Sequence, residues 1–396
     1  MNRVPQGTAV LIYAGKSRPM SQDTDYRFLV DRNFYYLTGI EIQDCKLVMV
    51  KGDDDVATVK LFAPEHNELK ERWTGKRMDY EKIAAISLIP EENILPLEEF
   101  EEYLYELKQN GAKLASDGTS IMDDTKILLA SNDVEVTDIG SILTKMRMVK
   151  QPEEIEAIKA AARITEAALE EMKSHIRPGV TELELYTALE YGMSKRGSLI
   201  PAFSTITAVG DNAFYLHHSE PEGEDGETAK DGGQIQVDVG ARVDGYCADI
   251  SRTYFVGKPV GDDDKRIKLH GLIKQLRAKA WEFIKPGETF KSLNEAMKAI
   301  VGPWLVKQNL LEEGYSDDDI KGFYWHNTSH HLGLDVHDIS EREAEFEAGN
   351  CLAVEPGVYI KQWHVGFRIE DDIVVTDDGC ELLSSGMDDI EGIIIE

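Results

Sequence analysis

The 396-residue sequence has few cysteines, no long apolar run and far fewer basic than acidic residues. Its four cysteines, Cys45, Cys247, Cys351 and Cys380, are widely scattered and form no CxxC pair. Neither a disulfide framework nor a thiolate metal site is therefore indicated, and a reducing cytoplasm is the expected location. No segment approaches the roughly 20 apolar residues of a membrane helix. The short apolar stretch 9–14 lacks the length and cleavage site of a secretory signal and is predicted to be a strand.

The charge balance excludes two classes of partner. The sequence has 43 Lys and Arg residues against 73 Asp and Glu residues, for a formal net charge of -30. Nucleic acids and anionic membranes would repel such a chain, so we expect neither as a partner. The hydrophobic content of 42% is that of an ordinary globular protein, and the length allows two or three domains.

The first part of the chain alternates strand-like and helix-like segments. Strands are predicted at residues 8–13, 46–50, 58–62 and 126–130, and a helix at 97–109. This order is typical of a small α/β domain.

A long helix is predicted to begin at Pro152. Glu153 and Glu154 follow in its first turn, where acidic side chains complement the helix dipole. Apolar residues then recur at spacings of three and four, from Ile155 and Ile158 onward to Ala161 and Ala162, which indicates a packing face. We therefore expect a domain boundary near residue 150, with domains 1–150 and 151–396.

The second domain contains a faint internal repeat. Residues 177–181 (RPGVT) and 285–289 (KPGET) each follow one predicted helix and precede another. Thr181 with Glu184 forms a capping box, and Thr289 is the corresponding cap in the second copy. An acidic strand segment lies 60 residues after the proline of the first copy and 69 after that of the second. The repeat predicts two αβ halves folded against each other, with a site between them.

Four acids and one histidine in the second domain are candidate metal ligands: Asp238, Asp249, His330, Glu355 and Glu370. The acids lie among apolar strand residues, where an unpaired buried charge costs several kcal/mol. Mostly oxygen ligands suit a pair of divalent ions such as Mn²⁺ better than a single structural zinc. Two such ions, about 3.5–4 Å apart, can share a water, lower its pKa and polarise a carbonyl, which favours an amide-bond hydrolase. The alternative is that these acids lie on solvated strand edges. It is disfavoured because the pattern at all five positions would then have to be a coincidence.

A second metal pattern is weaker. His326 and His330 have the HxxxH spacing of zinc proteases, but no Glu follows His326 as HExxH requires.

Five segments resemble the pita-bread metallopeptidases of family M24, most closely the Xaa-Pro aminopeptidase (aminopeptidase P) branch with its creatinase-like N-terminal domain. They are DVG with GYCADISRT (238–253), SHHLGLDVHD (329–338), VEPGVYI (354–360), RIEDD (368–372) and, near the N-terminus, RNFYYLTG (32–39). The resemblance covers nearly the whole chain. It implies an α+β pita-bread catalytic domain with an internal pseudo-twofold repeat, preceded by a smaller α/β N-terminal domain.

The resemblance implies the same five ligands as the residues themselves, with Asp249 and Glu370 bridging the two ions. It also assigns His217 and His337 as non-ligand histidines that hold the substrate and its developing oxyanion. Glu355 would in addition shuttle a proton, and Arg368 matches an arginine beside the metal-bearing strands. His218 and His331 have no such support, and position 331 is commonly Trp or Gly in the family.

Trp73 resembles a tryptophan that the N-terminal domain of relatives extends over the substrate, often from a neighbouring subunit. The alternative for Trp73 is an ordinary half-buried aromatic residue.

The implied function is a dinuclear metal-dependent aminopeptidase that removes the residue preceding proline. Its partners would be peptides with proline at the second position, and it would form a homo-oligomer, a dimer or tetramer. Mn²⁺ is the favoured metal, with Zn²⁺ or Co²⁺ as alternatives. An Xaa-Pro dipeptidase is the near alternative. A non-catalytic peptide-binding protein of the same fold and metal-free hydrolysis of the creatinase type are both disfavoured by the complete ligand set.

Overall fold

The computed structural model describes residues 1, 3–52, 56–118, 136–257, 264–341, 343–385 and 394–395. The chain divides into two compact units, Met1–Met146 and Arg147–Glu396. The strand expected at residues 126–130 lies outside the described residues.

The N-terminal unit contains a six-stranded mixed sheet of order β4-β3-β2-β1-β5-β6. Its strands are β1 (Thr8–Tyr13), β2 (Lys46–Lys51), β3 (Ala57–Ala63), β4 (Ile94–Pro96), β5 (Lys113–Ser116) and β6 (Val136–Asp138). The helices are α1 (Arg32–Thr38), α2 (Glu68–Thr74), α3 (Tyr80–Ser87), α4 (Phe100–Gln109) and α5 (Gly140–Met148), the last of which contains the boundary between the units.

Strand β1 is the centre of this unit because both of its faces are buried. Alternate residues enter different clusters: Leu11 packs with Phe100, and Ile12 packs with Phe34. The three strands predicted at 8–13, 46–50 and 58–62 are thus confirmed. The predicted helix at 97–109 needs a correction, because Leu97–Glu99 form a 3₁₀ turn and the α-helix begins only at Phe100.

The C-terminal unit contains two four-stranded sheets, of order β18-β11-β8-β7 and β12-β13-β16-β17, and two hairpins, β9-β10 and β14-β15. The strands are β7 (Ile206–Val209), β8 (Gln234–Val239), β9 (Arg242–Val243), β10 (Tyr246–Cys247), β11 (Ile250–Val256), β12 (Ser329–His331), β13 (Cys351–Val354), β14 (Gly357–Ile360), β15 (Val365–Arg368), β16 (Asp371–Val375), β17 (Cys380–Leu382) and β18 (Ile394–Ile395). The helices are α6 (Pro152–Lys173), α7 (Glu182–Ser194), α8 (Lys265–Phe283), α9 (Phe290–Lys307) and α10 (Asp317–Ile320).

Each sheet of this unit is covered by its own pair of helices. The apolar faces of α6 and α7 pack on the first sheet, as Leu169 and Leu185 do with Val237. Helices α8 and α9 pack on the second sheet in a separate cluster that includes Leu293 and Leu352. The predicted start of α6 at Pro152 is confirmed, with the backbone N–H of the preceding residue bonded to a carboxylate in the first turn.

The internal repeat is visible as matched turns. Gly179 and Gly287 have φ of +84° and +90°, a region that glycine enters without strain. The N–H of Gly179 donates to the carbonyl of Ala229 at 2.7 Å, and that of Gly287 donates to the carbonyl of Phe346 at 3.0 Å. Both acceptors lie nine residues before the first candidate acid of their half. The two halves therefore repeat the same path from turn to acidic strand.

The caps of the repeat differ in one partner. Thr181 and Glu184 form the predicted capping box at the start of α7. Thr289 caps α9 as predicted, but its reciprocal partner is Ser292.

Candidate metal centre

The five candidate ligands lie at the ends of neighbouring strands. Asp238 is in β8 and His330 is in β12. Asp249 immediately precedes β11, Glu355 immediately follows β13 and Glu370 immediately precedes β16. Strand β8 pairs antiparallel with β11, and β13 pairs with both β12 and β16, so each sheet brings its own candidates together.

The candidates of the two sheets meet around His330. Its Nε2 lies 3.4 Å from Asp249 Oδ2, 3.7 Å from Glu370 Oε1 and 3.9 Å from Glu355 Oε1. One potential ligand atom from each of Asp249, His330 and Glu370 lies within 4.8 Å of the others. The backbone N–H of Glu370 also donates to the carbonyl of Ser251, at 3.1 Å, which ties the second sheet to the first.

These carboxylates are not on solvated strand edges. Asp238, Asp249 and Glu370 are buried and Glu355 is largely buried, so the strand-edge alternative is wrong. Asp238 Oδ1 and Asp249 Oδ1 have no hydrogen-bond partner within the described residues. A buried carboxylate oxygen without a donor is costly, and it is the kind of atom that a cation would satisfy.

The electrostatics of the cluster point the same way. Burial, with the nearby charges of Glu370 and Asp238, raises the pKa of Asp249 well above its usual value. Burial and Glu370 raise the pKa of Glu355 to about 8. Burial alone would lower the pKa of His330, but its contacts with Asp249 and Glu370 raise it well above the usual value. The cluster thus holds more negative charge than one imidazole can balance, and its donor set fits divalent ions.

Arg368 organises the cluster from one side. Its Nη2 donates to Asp238 Oδ2 at 2.8 Å, and its Nε donates to Ser251 Oγ at 2.8 Å. Ser251 in turn donates to Glu370 Oε2 at 2.7 Å, and Tyr359 OH lies 3.1 Å from Arg368 Nη1. Sequence reasoning identified Arg368 but missed Ser251 and Tyr359. Ser251 sits opposite Asp238 in the β8–β11 ladder, a pairing that sequence alone does not give.

A second set of buried acids supports the ligands from behind. The backbone N–H of Asp249 donates to both carboxylate oxygens of Asp372, at 3.2 and 3.1 Å. Asp371 is held by Arg252 and Arg277, each at 2.7 Å. The acids Glu370, Asp371 and Asp372 were visible in the sequence. Their different positions, with Glu370 among the candidate ligands and the two aspartates behind them, were not.

His337 and His217 belong to the edge of the cluster. The His337 ring centroid lies 4.0 Å from that of His330. Burial lowers the pKa of His337 to about 4, and the charges of His330 and His217 add to this effect, so His337 is neutral near pH 7. His217 is exposed and follows the 3₁₀ turn Gly210–Phe214.

His326 also reaches the site, although sequence reasoning considered it only as part of a weaker zinc pattern. Its Nδ1 lies 3.3 Å from Glu355 Oε2, and its Nε2 lies 3.0 Å from Tyr359 OH. Burial and the charge of Arg368 lower its pKa to about 4. His326 lies in a loop and His330 in a strand, so the two do not form the helical HxxxH arrangement of zinc proteases.

His331 and His218 have other partners. His331 follows His330 in β12, where successive side chains point to opposite faces, and its ring meets Phe290 edge-on at a centroid distance of 5.3 Å. Burial lowers the pKa of His331 to about 3. His218 Nε2 lies 2.7 Å from a carboxylate oxygen of Glu182.

Trp73 belongs to the N-terminal unit, on helix α2. The residue is 91% exposed, so the half-buried alternative is wrong.

Two expectations about the whole chain can be compared with the structure. All four cysteines are free thiols. In the part of the chain that the structure describes, no helix has both the length and the apolar character needed to cross a membrane.

Solved structures that are similar over nearly the whole chain include aminopeptidases P. Aminopeptidase P from Escherichia coli with the inhibitor Pro-Leu superposes with a TM-score of 0.89 at 27% identity, over 99% of this chain and 94% of that one. Proline aminopeptidase P II from Yersinia pestis superposes with a TM-score of 0.89 at 28% identity, over 99% and 96%.

Sequence relatives include both activities that the motifs left open. The Xaa-Pro aminopeptidase of Escherichia coli is 28% identical over 429 residues, which cover 100% of this chain and 95% of that protein. The Xaa-Pro dipeptidase of Pyrococcus furiosus is 28% identical over 361 residues, which cover 89% and 90%.

Two family profiles account for the two parts of the chain. Residues 1–115 match the aminopeptidase P N-terminal domain. Residues 156–377, more than half of the sequence, match metallopeptidase family M24 and include all five clustered ligand candidates. With its full-length similarity to solved aminopeptidases P, the chain belongs to metallopeptidase family M24.

Proposed function

We propose that the chain is an Xaa-Pro aminopeptidase that hydrolyses the bond between an N-terminal residue and a following proline. The observation that carries the proposal is the buried cluster around His330, with two carboxylate oxygens that have no donor in the described residues. Full-length similarity to Xaa-Pro aminopeptidases supports the substrate class.

The five clustered residues would hold two divalent ions, and Asp249 and Glu370 are the ligands that both ions would share. Four carboxylates and one imidazole are mostly hard donors, which favours Mn²⁺ over Zn²⁺ or Co²⁺. A bound pair of divalent ions supplies Lewis-acid polarisation of the scissile carbonyl and lowers the pKa of water to near neutrality.

The remaining groups supply proton transfer and orientation. Glu355 lies beside His326 and His330, where its carboxylate would accept a proton from the attacking water and pass it to the departing proline nitrogen. Neutral His337 can donate a ring N–H to the oxyanion that develops on the carbonyl oxygen. His217 is proposed to hold the substrate next to His337. Arg368 keeps Asp238 in its ligating orientation through the 2.8 Å hydrogen bond.

The assignment of the two domains is also a proposal. Residues 1–150 would form the creatinase-like N-terminal domain and residues 151–396 the catalytic domain. The 91% exposure of Trp73, with its neighbour Leu69 at 69%, supports a homo-oligomer, a dimer or tetramer, in which this helix contacts another subunit. Four free cysteines support a reducing cytoplasmic location.

The test compares Xaa-Pro-Yaa tripeptides with Xaa-Pro dipeptides, each with a chelator and with added Mn²⁺, Zn²⁺ or Co²⁺. We expect metal-dependent release of the first residue, faster for tripeptides than for dipeptides. Faster cleavage of dipeptides would favour the dipeptidase alternative. Undiminished turnover after chelation, with no transition metal in the protein, would refute the metallopeptidase mechanism.

A further inference from the structure

The loop between β7 and β8 is organised around one buried carboxylate. Glu182 is the first residue of α7 and is fully buried. Its Oε1 accepts hydrogen bonds from the N–H of Val209 at 2.8 Å and from Nδ2 of Asn212 at 2.9 Å. Its Oε2 accepts from the N–H of Glu222 at 2.9 Å and lies 2.7 Å from Nε2 of His218. Each carboxylate oxygen therefore has two partners.

These contacts explain why an acid is tolerated there. A buried carboxylate costs several kcal/mol unless hydrogen bonds replace its hydration. The four partners of Glu182 do this, and its place at the N-terminus of α7 adds a favourable dipole interaction. The partners span residues 209–222, so one side chain ties the first half of the loop at four points.

The same loop carries His217, the neighbour of His218. A trans peptide holds adjacent Cα atoms about 3.8 Å apart, so fixing the His218 ring restricts where His217 can be. The same loop lies against the site, because the ring of Phe214 packs on Trp325 at a centroid distance of 6.1 Å and Trp325 stacks on Tyr359 at 4.5 Å. Within the described residues, the His217 ring takes part in no hydrogen bond or ion pair. Its position therefore depends on the loop that bears it.

We propose that Glu182 is a positioning residue that holds His217 at the edge of the candidate metal centre, acting through His218 and the flanking loop. The proposal rests on the proposed function, in which His217 contacts the substrate. It also gives adjacent histidines different tasks, because His218 binds inward to Glu182 while His217 remains exposed.

The first test is Glu182→Gln. Glutamine keeps the shape of glutamate but has only one acceptor oxygen. Its NH₂ group replaces the other carboxylate oxygen and therefore faces the two donors that bonded to that oxygen. We expect kcat on an Xaa-Pro-Yaa peptide to fall by about 10- to 100-fold, since small misplacements of a catalytic group have effects of this size. KM should rise as well, because His217 is proposed to hold the substrate, whereas bound metal should stay near the wild-type value, because neither Glu182 nor His217 is a proposed ligand.

The matched control is Glu184→Gln. Glu184 is in the same helical turn, but its carboxylate bonds to Arg177 and to the N–H of Thr181 rather than to the loop. Its kcat should remain within about twofold of wild type, because glutamine can keep the capping bond to Thr181 and loses only the exposed ion pair with Arg177. An equal fall in both variants would mean that Glu182 only stabilises α7, and would overturn the proposal.

A double-mutant cycle tests whether Glu182 acts through His217. If it does, adding Glu182→Gln to His217→Ala should cost little further activity. Additive losses would overturn the proposal. If Glu182→Gln does not fold, His218→Ala replaces it in the cycle, because this side chain is partly exposed and removes only one of the four partners.

Hydrogen exchange provides a readout that needs no substrate. Amides in residues 209–222 should exchange faster in Glu182→Gln and unchanged in Glu184→Gln, with and without metal. Unchanged exchange in Glu182→Gln would overturn the proposal whatever the activity. If the wild type cleaves no Xaa-Pro peptide, the proposed function is wrong, and exchange alone decides whether Glu182 holds the loop.

Discussion

Asp338, the residue after His337, is predicted to be a major determinant of the stability of the catalytic unit. Its carboxylate pairs with Lys150 at 3.0 Å and with Arg147 on the other oxygen. All three side chains are at least 97% buried. The backbone N–H of Asp338 also donates to the carbonyl of His331, so the pair of cations fixes the segment that bears His337.

The change Asp338→Asn keeps the shape and removes the charge. One amide oxygen can still accept from one cation, but the NH₂ group then faces the other. Breaking a buried ion pair by removing one partner costs about 3–5 kcal/mol, because a charge is left buried without compensation. At about 2–4 °C per kcal/mol for a domain of this size, the midpoint of thermal unfolding should fall by about 6–20 °C.

The control is Asp335→Asn. Asp335 also bonds Arg147, at 3.2 Å, but its side chain is 39% exposed. Loss of an exposed ion pair costs about 0–1 kcal/mol, so this variant should remain within a few degrees of wild type. Calorimetry of both variants, with metal content equalised, measures the difference. If Asp338→Asn lowers the midpoint of thermal unfolding no more than Asp335→Asn does, Asp338 is not needed to compensate the buried charges of Lys150 and Arg147.

The pH dependence gives a second check. Burial alone would raise the pKa of Asp338, but Lys150 and Arg147 bring it below the usual value. A carboxyl with a depressed folded-state pKa stabilises the protein above its unfolded pKa of about 3.9, and that stability is lost as the pH falls through the folded value. The difference in the free energy of unfolding between wild type and Asp338→Asn should therefore be fully present at pH 7 and decrease below about pH 4. A difference that increases on acidification would contradict this prediction.

Three further predictions concern the site. Asp249→Ala or Glu370→Ala should abolish activity and metal binding while leaving most of the fold intact, as measured by turnover, metal analysis and circular dichroism; retained turnover would contradict their role as bridges. His337→Ala should lower kcat by about 10²–10³-fold with metal content near wild type, whereas His330→Ala should lose metal; equal metal loss in both would refute the distinction between ligand and oxyanion donor. Trp73→Ala should weaken tripeptide cleavage without changing metal content. Mixing this variant with Asp249→Ala chains should restore some activity if Trp73 acts in another subunit. A monomeric protein whose tripeptide cleavage is unaffected by Trp73→Ala would contradict this prediction.

The regular elements were predictable where the local pattern was unambiguous. β1 is an apolar run bounded by Gly7 and Gly15, and α6 begins with proline and two acids, so both starts follow from the sequence. The 3₁₀ turn before α4 was not predictable, because both helix types use the same residues and differ only in which carbonyl the amide reaches.

The ligand candidates were predictable from an anomaly: acids among apolar strand residues. Their supports were not, because these depend on register and on pairing between distant segments. Ser251 acts at the site only because β11 places it opposite Asp238, and Tyr359 only because the β14–β15 hairpin returns it to Arg368. Neither serine nor tyrosine in a strand is unusual, so no compositional signal separates them from ordinary core residues.

Glu182 shows the limit of motif reasoning most clearly. The capping box assigned functions to Thr181 and Glu184 on either side of it, and an acid in the first turn of a helix is expected from the dipole alone. Only the structure shows that Glu184 faces solvent while Glu182 is buried against the His217 loop. The first turn of α7 therefore has two functions. Glu184 stabilises the helix, and Glu182, two residues earlier, orders a loop of the candidate site.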